Sequence, residues 1–434
     1  MAAPAAPDAQ PAPAAAAPDA AEPAAAGPSP WAIRPALRAL SHRNYRLFFS
    51  GQLVSLIGTW MQTVAQSWLV YRLTGSELLL GLVGFTSYIP VFVFATLGGA
   101  LADRRERRRI LVTTQSLALA QALVLAGLTL TGAVQVWHIF LLAGLLGLVN
   151  AFDIPARQAF SVELVGRADL QNAIALNSSA FNGARMVGPA VAGVMVAWLG
   201  EGWCFAVNGA SYLAVIAGLL AMRIVPRERV ASGGLWVNLT EGLGYVRHTP
   251  PVRAVLLMLG MASLVGMPYA VLMPVFAADV LKTGPSGLGW LMSCAGLGAL
   301  GAALTLTLRR QVHGLERWVA RASLGFGAAL IAFSASRGFA LSAGLLVAVG
   351  YSMMLQMASS NTLVQHMVPD RLRGRVMAVY SMMFMGMAPF GALLAGALAH
   401  RIGAPATVAL GGCVCIAGSL ALRGQLKTVR AALG

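Results

Sequence analysis

Seven stretches of the chain contain no Asp, Glu, Lys or Arg: residues 78–102, 110–152, 254–278, 283–308, 338–369, 376–400 and 402–422. A helix rises about 1.5 Å per residue, so about 20 apolar residues cross the roughly 30 Å hydrocarbon core of a bilayer. Every stretch reaches that length, and two are long enough to hold a hairpin. Charges, Gly and Pro divide the chain into expected helices at 46–72, 77–101, 110–131, 135–155, 170–199 and 203–224, then 252–279, 286–308, 316–336, 339–366, 374–399 and 404–423. The pattern predicts an all-α integral membrane protein with twelve transmembrane helices in two six-helix bundles.

The remaining segments set the domain organisation. Residues 1–40 are Ala- and Pro-rich with few charges and no basic-then-apolar order, which predicts a disordered cytosolic tail, not a signal peptide. Residues 41–224 form the first bundle, 225–251 a linker, 252–425 the second bundle and 426–434 a short tail. Within the linker, Leu235, Leu239, Leu243 and Val246 make one apolar stripe, as in an amphipathic helix lying at the membrane surface. The halves look related: the fifth helix of each begins after a charged turn (Arg167 and Asp169; Asp370, Arg371 and Arg373) and carries Pro189 or Pro389, an offset of 200 residues. Transporters use such parallel duplication to frame a central site.

Composition fits this class, with 58% hydrophobic and 11% charged residues and a mean hydropathy of +0.72. The net charge of +16 would suit a nucleic-acid partner, but its placement argues otherwise. Of the 31 Lys and Arg residues, 26 fall before the first helix, after each even-numbered helix and at the chain's end. The intervening loops hold only Arg72, Lys282, Arg337 and Arg401, and Arg185 stands within a span. The positive-inside rule then places both termini in the cytosol of a cytoplasmic-membrane protein and accounts for the basic balance without nucleic acid. The four cysteines all lie in apolar segments and read as packing residues. Six scattered histidines, with no His-Glu-x-x-His, Walker loop or Gly-x-Ser-x-Gly, leave no enzymatic reading, no metal or cofactor site and no direct use of ATP.

The turn after the second helix reads Gly99-Ala100-Leu101-Ala102-Asp103-Arg104-Arg105-Glu106-Arg107-Arg108-Arg109-Ile110-Leu111. It resembles the signature loop of the major facilitator superfamily, with Glu106 where the family has a second Gly. The resemblance implies a conformational latch made of Gly99, Asp103, Arg104, Arg107 and Asp153. In it, Asp103 faces the positive end of the eleventh helix, Arg107 pairs with Asp153 at the base of the fourth, and the contact holds the outward-facing state. In the fifth helix, Gly188-Pro189-Ala190-Val191-Ala192-Gly193 resembles the superfamily's Gly-Pro antiporter motif, with Ala at 175, 184 and 192 where the family prefers Gly. Gly188, Pro189 and Gly193 carry it, and it favours efflux. Arg43-Asn44-Tyr45-Arg46-Leu47-Phe48, Asp153-Ile154-Pro155-Ala156-Arg157-Gln158-Ala159 and Arg185-Met186-Val187-Gly188-Pro189 together look like the bacterial drug:proton antiporter branch that includes the enterobactin exporter and macrolide efflux proteins.

Polar residues inside spans mark the candidate path. Gln52, Ser55, Thr59, Gln62 or Thr63, and Gln66 share one face of the first helix, which lines either a water-filled path or a helix interface. Arg185, with Asn177, Ser178 and Asn182 near it, is a charge at mid-membrane: a site candidate, or an Arg bonding helix carbonyls. The tenth helix adds Gln356, Ser359, Ser360, Asn361 and Gln365. Methionines concentrate after residue 250, as suits a pocket for varied apolar shapes or ordinary packing. The expected transport cavity is Gln52, Thr59, Gln62, Gln66, Asn182, Arg185 and Gln356. The expected function is export of small amphiphilic molecules by alternating access of a monomer in contact with lipid, with protons as coupling ion and Asp153 as their carrier. An importer, or a membrane sensor that does not transport, is the alternative.

Overall fold

The computed structural model describes residues 37–166, 168–223, 235–308 and 314–432, without the side chains of 235–239 and 423–432. Most of the expected N-terminal tail and Arg167 therefore lie outside the described residues, as do the side chains of Leu235 and Leu239 in the linker stripe. The transmembrane helices are α1 (Arg43–Thr74), α2 (Glu77–Arg104), α3 (Arg107–Leu130), α4 (Val136–Val165), α5 (Leu170–Leu199) and α6 (Glu201–Leu220) in the first half. The second half has α7 (Pro250–Val280), α8 (Gly284–Leu308), α9 (Leu315–Ala335), α10 (Phe339–Met367), α11 (Asp370–Ile402) and α12 (Ala404–Ala432). Eleven of these described helices are apolar enough to cross a membrane on composition alone. The exception, α1, has 32 residues, and its polar face is covered by neighbours.

Local chemistry explains several boundaries. Gly75 ends α1 in the left-handed region (φ 58), and one residue on the Ser76 hydroxyl caps α2 by accepting from the Leu79 N–H. Expected as one regular span, α7 is broken: α-helix to Met261, a π-helical turn over Ala262–Gly266, a 3₁₀ turn over Met267–Ala270 and another π-helical turn over Phe276–Val280. Pro268 and Pro274 lack the N–H that a continuous ladder needs. A second break, at Gly386 and Met387, divides α11 ahead of Pro389, whereas α5 runs unbroken past Pro189. The fourth helix passes Pro155 and continues to Val165, ten residues beyond its expected end. The linker helix (Leu235–His248) sets Val246 into the apolar core beside Leu372, Val376 and Val379, and Glu241 pairs with Arg375 at the start of α11.

The two ends of the bundle are packed differently. At the end bearing both termini, each half has its own core: Phe48, Leu111, Phe160 and Leu219 in the first, Val255, Val319, Leu363 and Val376 in the second. At the far end one apolar cluster runs through both halves, from Leu69 and Leu80 to Phe276, Leu288 and Val349. There α2 meets α11, where a side chain at Gly81 would strike the Ala392 carbonyl and Gly396, and α5 meets α8, with Gly193 against Gly289. The Tyr71 hydroxyl donates to Asp279 between α1 and α7. The halves are joined at the far end and part toward the termini.

Candidate transport site

Five helices bring side chains to mid-depth between the halves. Arg185 lies 15 residues from Leu170 and 14 from Leu199, about 21 Å from either end of α5. Its guanidinium carbon stands 5.8 Å from the Trp60 ring centroid of α1, and Nη2 lies 4.0 Å from the Met353 sulfur of α10. The Tyr269 hydroxyl of the irregular α7 is placed to accept from it. Tyr88 of α2 is 48% exposed and lies within electrostatic range of Arg185. Phe181 packs edge-on to Trp60 with centroids 5.8 Å apart. No carboxylate among the described residues lies within ion-pair distance of Arg185.

The other expected cavity residues divide. Gln62 is 2% exposed and is held by Gln121 of α3 and Asn208 of α6, so it belongs to the interior of the first half and not to the path. Gln356, equally buried, donates to the Met258 carbonyl of α7, and Asn182 donates back to the Ser178 carbonyl on its own helix. Asn177 is taken up at the termini end, donating to Ser161 and accepting from Tyr45. A polar side chain in an apolar bundle finds a partner on the adjoining helix before it faces open space. Gln66 is half-buried on α1.

Gln52 and Thr59 border a second polar group inside the first half. Asp153 is 1% exposed and accepts from Thr114 (2.7 Å), Gln115 (2.8 Å) and Arg157, whose Nη1 donates to Gln52 at 3.1 Å. Beside it lies an enclosed cavity of about 50 Å³ lined by Ser55, Thr59, Asn150 and Tyr212. That is room for a water molecule.

The expected pairing of Arg107 with Asp153 is not formed. Arg107 starts α3 and bonds Glu163 at 3.2 Å, together with the Ala102 and Ala159 carbonyls. Asp103 stands 3.8 Å away. The physical reason is the length of α4: Asp153 is twelve residues from its end, about 18 Å into the bundle, whereas Glu163 is level with the loop. Gly99 faces open space, with nothing within 4 Å of where a side chain would begin, and Arg104 is exposed.

Of the Gly-Pro segment, Gly188 packs against Trp60 and the Ile57 carbonyl of α1. Gly193 and Pro189 meet Gly289 of α8, where a methyl group on Gly289 would come within 2.4 Å of the Pro189 carbonyl oxygen. The segment therefore makes part of the contact between halves. Among the described residues no three His, Cys, Asp or Glu side chains are grouped to hold a metal.

A family model described as transmembrane secretion effector matches residues 34–432, nearly all of the described chain. The chain belongs to that family, within the major facilitator superfamily. As a family member it is a multi-pass membrane transport protein, not an enzyme. Relatives include the multidrug efflux pump Tap of Mycolicibacterium fortuitum, 28% identical over 83% of this chain and 90% of the relative. The staphyloferrin A transporter of Staphylococcus aureus is 24% identical over 86% of this chain and 94% of its own. Macrolide efflux protein A of Streptococcus pyogenes is 23% identical over 87% and 96%. In fold, the family member resembles a bacterial homolog of the human lysosomal transporter Spinster in an inward-facing, occupied conformation (TM-score 0.67, 15% identity, 90% of this chain and 96% of that one). It also resembles the nucleoside transporter NupG (TM-score 0.65, 14% identity, 89% and 99%).

Glu163, the Gln62 partners Gln121 and Asn208, and the mid-depth aromatics Trp60, Tyr88 and Tyr269 were not singled out by sequence reasoning. Glu163 stands eight residues beyond the expected end of the fourth helix, where the pattern gave it no place on a span. The aromatics carry no pattern of their own in spans that are apolar throughout.

Proposed function

We propose that the chain is a secondary exporter of small amphiphilic molecules, drugs or siderophore-like compounds, in the cytoplasmic membrane. It works as a single chain by alternating access, with both termini in the cytosol, in exchange for protons. The observation that carries this reading is the one-sided junction of the halves: sealed at the far end, separately packed at the termini end, with Arg185 and aromatic side chains between. The concentration of basic residues in the termini-side loops supports the orientation, and the relatives named as efflux pumps and a siderophore transporter support export.

In the opposite state the termini end closes. The open face of Gly99 then receives α11, Asp103 meets the positive N-terminal end of that helix, and Arg104 and Arg107 frame the loop, with Arg107 anchored through Glu163. Asp153 is the proposed proton carrier. Its protonation removes the ion pair with Arg157 and frees a guanidinium that already reaches Gln52 of α1, a helix in contact with both halves. The test is dye accumulation in everted vesicles under an imposed pH gradient. Accumulation is expected to collapse with the gradient, and Asp153→Asn is expected to abolish that dependence while substrate exchange between equal compartments continues. Accumulation indifferent to the gradient would remove proton exchange from this reading.

A further inference from the structure

The mid-depth space between the halves contains a cation and no acid. Trp60, Tyr88, Arg185, Tyr269 and Met353 come from five different helices, each near the middle of its span. The described carboxylates are elsewhere. Asp153 lies inside the first half with Arg157; Glu163, Asp169 and Asp370 lie at the termini end with Arg107, Arg38 and Arg373; Glu201 and Asp279 lie at the far end with Arg72 and Tyr71. A guanidinium is a permanent cation with five donors in a planar fork. Around Arg185 the contacts are a ring face, a thioether and a hydroxyl, which leave its charge uncompensated. An uncompensated charge at the bilayer centre is costly and marks a place where a ligand supplies the counter-charge.

Resting on the exporter reading above, we infer that this cavity selects anionic aromatic amphiphiles, such as carboxylates, sulfonates or phenolates on a ring system, over cationic ones. The Arg185 fork receives the anion, since paired N–H groups match the two oxygens of a carboxylate or sulfonate. Trp60 holds the guanidinium on one side by a cation–π contact, and Tyr88 and Phe181 present ring faces and edges to the ligand's aromatic part. A cationic group at the same depth meets a like charge in a medium far less screening than water.

Two xanthene dyes test this, fluorescein as the anion and rhodamine 6G as the cation, because their ring frames match and their charges oppose. Binding to the full chain in nanodiscs is read by fluorescence polarisation at pH 8. Fluorescein is expected to bind at least about tenfold tighter than rhodamine 6G, Arg185→Gln to erase that preference, and Arg185→Lys to keep most of it. Met353→Glu neutralises the guanidinium without removing it and is expected to bring the ratio of affinities towards one while both dyes still bind, a result that misfolding cannot imitate. The inference is overturned if the wild type prefers rhodamine 6G, or if Arg185→Gln and Met353→Glu both leave the ratio of affinities unchanged. Dye uptake into everted vesicles then separates the two readings: movement of either dye leaves export standing and removes only the anion preference, and movement of neither removes both.

Discussion

Asp153, the proposed proton carrier, is also one half of a buried ion pair. Four hydrogen bonds from Thr114, Gln115 and Arg157 hold a carboxyl that is 1% exposed, and Arg157 is the partner that offsets its burial. Removing one member of a buried ion pair costs about 3–5 kcal/mol, and the partial exposure of Arg157 places the expected loss near the lower figure. Arg157→Leu is therefore expected to lower the unfolding midpoint in detergent clearly, and Arg157→Leu combined with Asp153→Leu to recover part of it. A double variant no more stable than the single one would show that an unpaired Asp153 charge is not what destabilises the single variant.

Among the elements, α5 and α8 make the decisive contact. Gly193 and Gly289 approach so closely that each would drive a side chain into the other's backbone, as small residues allow in membrane helix pairs. Gly289→Leu is expected to wedge the far end apart: spin labels on α5 and α8 near that end should move several ångströms further apart, and flux should fall while the protein stays folded. Unchanged separation would mean that this contact does not set the closed end. Much of this was legible in the sequence. The charge-free runs, together with Gly, Pro and the charged turns between spans, located the twelve helices, the Gly-Pro segment set α5 apart, and the Leu243–Val246 stripe anticipated the linker helix. The breaks in α7 and the extension of α4 were not legible, because a proline in a membrane helix either interrupts the ladder, as Pro268 does, or is absorbed, as Pro155 is, and neighbouring helices decide which. The same dependence on neighbours turned Gln62 and Gln356 inward to helix contacts and moved the Arg107 partner from Asp153 to Glu163.

Over the whole molecule, the proposed transport cycle is a rocking of two six-helix halves about a mid-depth site. One apolar cluster joins the halves at the far end, and two separate ones at the termini end leave room for the opposite tilt. The seal includes the Tyr71–Asp279 hydrogen bond, the Gly81–Gly396 approach and the Gly193–Gly289 approach, all of which must part for substrate to leave. The most direct measurement is a pair of spin-label distances between α5 and α8 in a background lacking the four cysteines. One pair joins Ile174→Cys and Thr307→Cys at the termini end, the other Trp198→Cys and Trp290→Cys at the far end. Without substrate, the termini-end pair is expected to be long and the far-end pair short. With transported dye and a proton gradient, a population should appear in which the first shortens as the second lengthens. Distances that stay fixed, or that lengthen and shorten together, would contradict alternating access in this protein.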